Sequence, residues 1–299
     1  VIDYNEVNTL KENCYKKLLS LIAKRYNLSK SKIELYNGYS SAIYSFLKYI
    51  NLKHCFIYSP SEYEYKKAAL NLDYEVKLIN RFENIYYPIK ENSVVIFMNP
   101  SFLDGTYYDL EKLFEYWISK DATILIDETY FDYCHLKSAI SSIDEYKKLY
   151  IIKDFSKYFS NELLDIASIF SNEQSINQIR KSEPSNKISV YNVKYLEESL
   201  KDDKFKNISN SINIKNRIDI ENSFFATGIV DIIYQSNTNS LLIKLKENID
   251  TNRLKENFIK NDIKIESCEI YDFLDKKYLN IYVKSKDNIQ ELKKVLDAI

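Results

Sequence analysis

Asp127, Glu128, Tyr130, Asp154, Ser156 and Lys157 are the side chains whose types and spacing suit chemistry. They stand at the ends of two apolar runs, 122–126 and 149–152, in the stretch DATILIDETYFDY…LYIIKDFSK. Thirty residues separate Asp127 from Lys157, enough for a strand end, a crossover and a second strand. In a parallel α/β sheet, the carboxyl ends of strands open onto a shared crevice where ligands bind. An acid, a phenol and an amine then converge on one ligand. Such groups carry charge, donate protons and attack electrophiles.

The framework around these residues reads as βαβ alternation from about 30 to 175. Residues 9–26 have helical apolar spacing at Leu10, Cys14, Leu18, Leu21 and Ile22, with a lysine-rich outer face. Strands are predicted at 33–36, 55–59, 74–79, 94–98, 122–126, 149–152 and 167–170, with helices between most of them. That pattern predicts an α/β fold with a doubly wound, mostly parallel sheet. Residues 174–222 read as long helices. From Ile229 onward the pattern becomes α+β, with strands at 229–234, 240–245, 263–266 and 278–283 and helices at 251–260 and 287–298. The expected organisation is an N-terminal segment and helix (1–28), a large domain (29–205) and a small C-terminal domain (206–299). In Asn37-Gly38-Tyr39-Ser40-Ser41, the glycine and serines before a helix offer N–H groups and hydroxyls to a phosphate. The same Ser-Ser is also an ordinary helix cap.

With 299 residues and 45% hydrophobic content, the chain can bury a large core. A net charge of −1 gives no basic surface for nucleic acid. The apolar runs are too short to span a bilayer, and no signal-peptide pattern opens the sequence. Four scattered cysteines, Cys14, Cys55, Cys134 and Cys268, match no metal or disulfide framework, so reduced thiols in a cytoplasm are expected. Two histidines leave little room for a His-based metal site or a Ser-His hydrolase. Three glycines are too few for a Gly-rich phosphate loop.

The ordered set NGYSSAI, SPSEYEYKKAAL, NPSFLDGTYYDLEKL, ILIDETYFDY, KDFSK, SNTNSLLIKL and YLNIYVKSKDNIQELKKVL resembles fold-type I pyridoxal-phosphate (PLP) enzymes of the class I/II aminotransferases. It looks closest to the histidinol-phosphate aminotransferase and threonine-phosphate decarboxylase branch. The resemblance runs from about Leu18 to the C-terminus. It implies a cytoplasmic PLP-dependent transferase, a homodimer, acting on a small-molecule amino donor and acceptor. Lys157 would form the Schiff base with the cofactor aldehyde. Asp127 would pair with the pyridine nitrogen, and Tyr130 with the ring's phenolic oxygen. Ser40, Ser41 and Ser156 would hold the phosphate, and Asn99, heading the NPSFLDG turn, belongs to the cofactor-binding set. A decarboxylase, a non-catalytic protein on this fold, and a metal- or nucleotide-dependent α/β enzyme are the alternatives.

The departures from the family pattern concern anion binding. Phe102 stands where an asparagine normally contacts the ring oxygen, and Asp154 where Ser or Thr precedes the lysine by three. Asp165 stands where a phosphate-binding arginine follows the lysine by eight. Asn280 and Glu266 take the places of further arginines. The chain has five arginines, at 25, 81, 180, 217 and 253. A buried carboxylate or phosphate favours a bidentate guanidinium, and acids in those places repel it. Weak cofactor retention is therefore expected, unless Lys153 or Lys181 compensates at the phosphate or Arg180 meets the substrate's anionic group.

Overall fold

The computed structural model of the chain describes residues 4–159, 164–184, 187–261, 263, 265–283 and 286–296. In chain order, α1 (Tyr4–Arg25) leads into β1 (Ile33–Tyr36), α2 (Tyr39–Ile50), β2 (His54–Ser59), α3 (Tyr63–Asn71), β3 (Glu75–Asn80) and β4 (Val94–Met98). Then come α4 (Glu111–Ser119), β5 (Thr123–Asp127), β6 (Leu149–Asp154), the short α5 (Phe155–Phe159), β7 (Ala167–Phe170), α6 (Glu173–Ser182), α7 (Val190–Lys201) and α8 (Asp203–Ala226). The remainder holds β8 (Val230–Ile233), β9 (Ser240–Leu245), α9 (Thr251–Lys260), β10 (Glu266–Ser267), β11 (Tyr278–Tyr282) and α10 (Lys286–Leu296).

Strands β4 and β5 are buried at every residue, as their unbroken apolar runs require of central parallel strands. The first sheet has the order β1-β7-β6-β5-β4-β2-β3. From β3 to β6 its pairings are parallel, whereas β7 runs antiparallel to both β6 and β1. Alternation along the strands splits the core into two layers. Val95, Phe97, Ile124 and Ile126 face Leu18 and Ile22 of α1, Trp117 of α4 and Leu196 of α7. Ile96, Leu125 and Ile152 face Phe46 of α2, Tyr65 of α3 and Ile176 of α6. Each fully buried Val, Leu or Ile contributes about 1.5–3 kcal/mol, so both layers hold the strand ends in place.

The long helix α8 carries the chain to a second sheet without interruption at 205–206. That sheet is antiparallel, in the order β10-β11-β9-β8, and Leu241, Ile243, Leu279 and Ile281 pack beneath Phe224 of α8 and Phe258 of α9. The strand expected over 263–266 is seen only at Glu266–Ser267; positions 262 and 264 lie outside the described residues. The two sheets meet at the turn 99–105. Gly105, with φ +65°, lies so close to Ser236 that a Cβ would come within 2.0 Å of its Oγ. Asn280 Nδ2 donates to the Leu103 carbonyl at 3.1 Å. Cys55, Cys134 and Cys268 are buried and unbridged.

Candidate active site

Asp127 is the last residue of β5, in register with Met98 of β4 and Ile152 of β6. It is wholly buried. Its Oδ1 accepts the Thr129 N–H at 2.8 Å, and its Oδ2 accepts the Tyr65 hydroxyl at 2.8 Å and the Tyr39 hydroxyl by a short contact. Burial pushes the Asp127 carboxyl above its ordinary value, while the bonds from Thr129, Tyr39 and Tyr65 pull it back. The neighbouring acid, Glu128, turns away from this crevice. Its carboxylate accepts the Ser138 hydroxyl and the Ala139 N–H, each at 2.6 Å, and secures that turn.

Beyond β6 the chain bends directly into α5. Asp154 caps that turn, accepting the Ser156 N–H at 2.9 Å and the Ser156 hydroxyl at 2.7 Å, the contact an acid makes at a helix start. This gives the acid at a position where the family has Ser or Thr a local structural role. Lys157 follows, exposed, in the same turn. Thr129 connects the two strand ends: its N–H reaches Asp127, and its Oγ1 accepts the Asp154 N–H at 3.1 Å.

Tyr130 is buried, with its ring 6.0 Å from that of Phe102. Burial, then the charges of Glu62, Tyr282, Asp127 and Asp154, hold its phenol far above the ordinary value, so it stays protonated. Asn99 clasps the Tyr108 backbone, donating to its carbonyl at 3.0 Å and accepting its N–H at 2.8 Å. Ser41 donates back to the Asn37 and Gly38 carbonyls, and Ser156 to Asp154. Ser40 is exposed at the start of α2. The N–H groups of that first helical turn are therefore the principal donors the 38–41 segment can offer an anion.

Gly38 is the N-cap of α2, at φ +87°, and the Asp165 carboxylate lies against it. A Cβ at Gly38 would stand 2.0 Å from Asp165 Oδ1 and 2.9 Å from Oδ2. The cations expected to offset this acid are elsewhere, which corrects that expectation. Lys153 is buried in an ion pair with Asp132 at 3.2 Å, and Lys181 donates to Gln178 at 3.1 Å. The arginines are similarly engaged. Arg25 pairs with Asp132, Arg81 donates to the Met98 carbonyl, Arg180 pairs with Glu34 and Arg217 donates to the Thr238 carbonyl. Arg253 is exposed on α9.

Tyr39, Tyr65 and Thr129 are the site residues that sequence reasoning passed over. Two of them are tyrosines in a chain holding 27, which hid the signal. The position of Tyr39, directly after Gly38, was the available clue.

This sheet order, with a buried acid on one strand end and a lysine just past the next, defines a fold-type I α/β enzyme scaffold. The chain belongs to the aminotransferase class I and II family, whose sequence profile matches residues 8–258. It is 26% identical to a histidinol-phosphate aminotransferase of Christiangramia forsetii over 68% of this chain, a match that spans 57% of that protein. Its structure is similar to the histidinol-phosphate aminotransferase from Clostridium acetobutylicum, with a TM-score of 0.85, 22% identity, and coverage of 95% of this chain and 88% of that one. It is also similar to the L-threonine-O-3-phosphate decarboxylase from Porphyromonas gingivalis, with a TM-score of 0.79, 19% identity, and coverage of 94% and 87%.

PLP is the cofactor of this family, and the donor set fits it. A carboxylate has about four lone-pair positions. On Asp127 these face the Tyr39 and Tyr65 hydroxyls and both the N–H and the hydroxyl of Thr129, so a pyridine N–H would take the place of one hydroxyl donor. At the other end, the absence of a side chain at Gly38 leaves room beside the first turn of α2, and the Asp165 carboxylate lies in that room.

Proposed function

We propose that the chain is a PLP-dependent aminotransferase, moving an amino group between a small amine or amino acid and a keto acid, with Lys157 as the covalent attachment point. The observation that carries this reading is the pairing of β5 and β6. It brings Asp127 level with Ile152, and Thr129 bonds both Asp127 and Asp154 beside Lys157. When bound, PLP supplies an electron sink for the charge left on the substrate carbon.

The chain's own residues have distinct tasks. Asp127 would hold a proton on the pyridine nitrogen, its hydrogen bonds from Thr129, Tyr39 and Tyr65 favouring the ionised carboxylate that burial opposes. Tyr130 would donate to the ring oxygen, from a phenol that stays protonated. Lys157, exposed at the crevice end of the sheet, moves the proton at the substrate carbon. The 38–41 turn and the N-terminus of α2 orient the phosphate, with Ser40, Ser41 and Ser156 at its edge. Asn99 acts by fixing the loop that carries Phe102 against Tyr130.

The engagement of four arginines elsewhere supports a substrate bound without a guanidinium clamp. A cytoplasmic homodimer, with a large domain at 29–205 and a small one at 206–299, belongs to the same proposal. The separate sheets support that division. Among the described residues, no helix is long and apolar enough to cross a membrane. A non-catalytic reading has one specific observation in its favour, the acid seated on Gly38.

The test is an amino-transfer assay with a panel of small amines and amino acids against a keto acid. Turnover that disappears in Lys157→Ala supports the proposal. PLP bound by the wild type without turnover on any donor would leave the non-catalytic reading standing.

A further inference from the structure

We propose that Asp165 and Tyr39 are built-in competitors for the two ends of the cofactor, so that PLP loads by displacing a carboxylate from one seat and a phenol from the other. This rests on the PLP reading above.

Asp165 is held between Leu164 and Ile166, both buried, while its own side chain is exposed. The anchored backbone delivers the carboxylate onto Gly38, where the lack of a side chain leaves room for it. The N-terminus of the twelve-residue α2 carries N–H groups without helical partners and a partial positive charge, so a carboxylate there is favoured. A phosphate monoester carries about −1.5 to −2 charges at pH 7. It cannot share that seat with a carboxylate without repulsion, and Lys153, Lys181 and Arg180 are engaged with other partners.

At the ring end, the competitor is a donor. Asp127 is wholly buried and disfavours a bare charge. The Tyr39 hydroxyl meets it, with the Tyr39 ring edge-on to that of Tyr65 at 5.8 Å. A pyridine N–H arriving at the same carboxylate makes that bond redundant. Both contacts converge on one dipeptide, Gly38–Tyr39, at the head of α2, so the chain's own side chains stand at both ends of the cofactor's place.

The two competitors differ in what they oppose. Asp165 acts against the phosphate alone, whereas Tyr39 acts against the ring. Comparing PLP with pyridoxal, which lacks the phosphate, therefore separates them. The experiment titrates the wild type, Asp165→Asn, Asp165→Ala and Tyr39→Phe with each ligand, reading the visible band and protein fluorescence. Circular dichroism and the melting temperature confirm the fold of each variant.

Removing one partly solvated like charge predicts PLP binding about tenfold tighter in both Asp165 variants, with pyridoxal changed by less than about twofold. Tyr39→Phe is expected to tighten both ligands by a similar factor. The proposal is overturned if the Asp165 variants bind PLP no tighter than the wild type, if they tighten PLP and pyridoxal equally, or if Tyr39→Phe weakens both. If neither the wild type nor any variant binds PLP, the cofactor reading itself fails, which is a distinguishable result.

Discussion

Asp132 shows how much one carboxylate can hold together in this fold. It is buried, pairs with Lys153 at 3.2 Å and Arg25 at 3.1 Å, and accepts the Tyr26 hydroxyl at 3.2 Å. Burial alone raises its carboxyl, but the charges of Lys153, Arg25 and Lys206 outweigh that and hold it well below the ordinary carboxylate range. A depressed folded value means that the network's stabilisation is present above about pH 4, the ordinary aspartate value, and is lost as pH falls through the folded one. Asp132→Asn leaves the Lys153 ammonium buried and poorly paired, and should cost about 3–5 kcal/mol. Urea unfolding at pH 7 and at low pH measures both effects, and the gap between wild type and variant should shrink as pH falls. At the crevice, Asp127→Ala is expected to lower turnover by orders of magnitude while Lys157 still captures PLP. The demand on the acid rises chiefly in the transition state. Equal turnover in variant and wild type would make Asp127 a structural cap for the 127–129 turn.

Among the elements, the turn into α2 and the turn into α5 carry the site, and each depends on one backbone feature. Gly38→Ala forces a side chain to φ +87° and onto the Asp165 carboxylate. A loss of about 1–3 kcal/mol is expected from backbone strain at such a position. In the double variant with Asp165→Ala, part of that loss should return, because the two side chains collide; strict additivity of the two changes would place Asp165 elsewhere. These turns also mark where the sequence was and was not informative. Strands 33–36, 94–98, 167–170 and 240–245 were legible to the residue, since buried β runs bounded by polar clusters leave little choice of period. The position of Asp127 at a strand end was legible for the same reason, whereas Lys157 stands three residues past the end of β6, inside α5. The directions of side chains were not. Nothing in the letters D-E shows that Glu128 turns to Ala139 while Asp127 stays in the crevice. Nor does an S-K dipeptide reveal that the serine serves Asp154. Lys153 looked available to a phosphate only because its partner Asp132 lies on another loop.

For the molecule as a whole, the second sheet leans on the first through the 99–105 turn, where Gly105 packs on Ser236 and Asn280 holds the Leu103 carbonyl. The proposed homodimer is checked by sedimentation velocity, where a species of twice the chain mass at micromolar protein is expected and a concentration-independent monomer would remove that part of the proposal. Lys157 is the residue proposed to capture PLP in this fold. The most direct measurement is borohydride reduction of the protein with excess PLP, followed by peptide mass spectrometry. A pyridoxyl adduct on Lys157, together with a visible absorption band that is absent in Lys157→Ala, is the predicted result. No band and no adduct on Lys157 at saturating PLP, or an adduct spread over surface lysines and unchanged in Lys157→Ala, would contradict it.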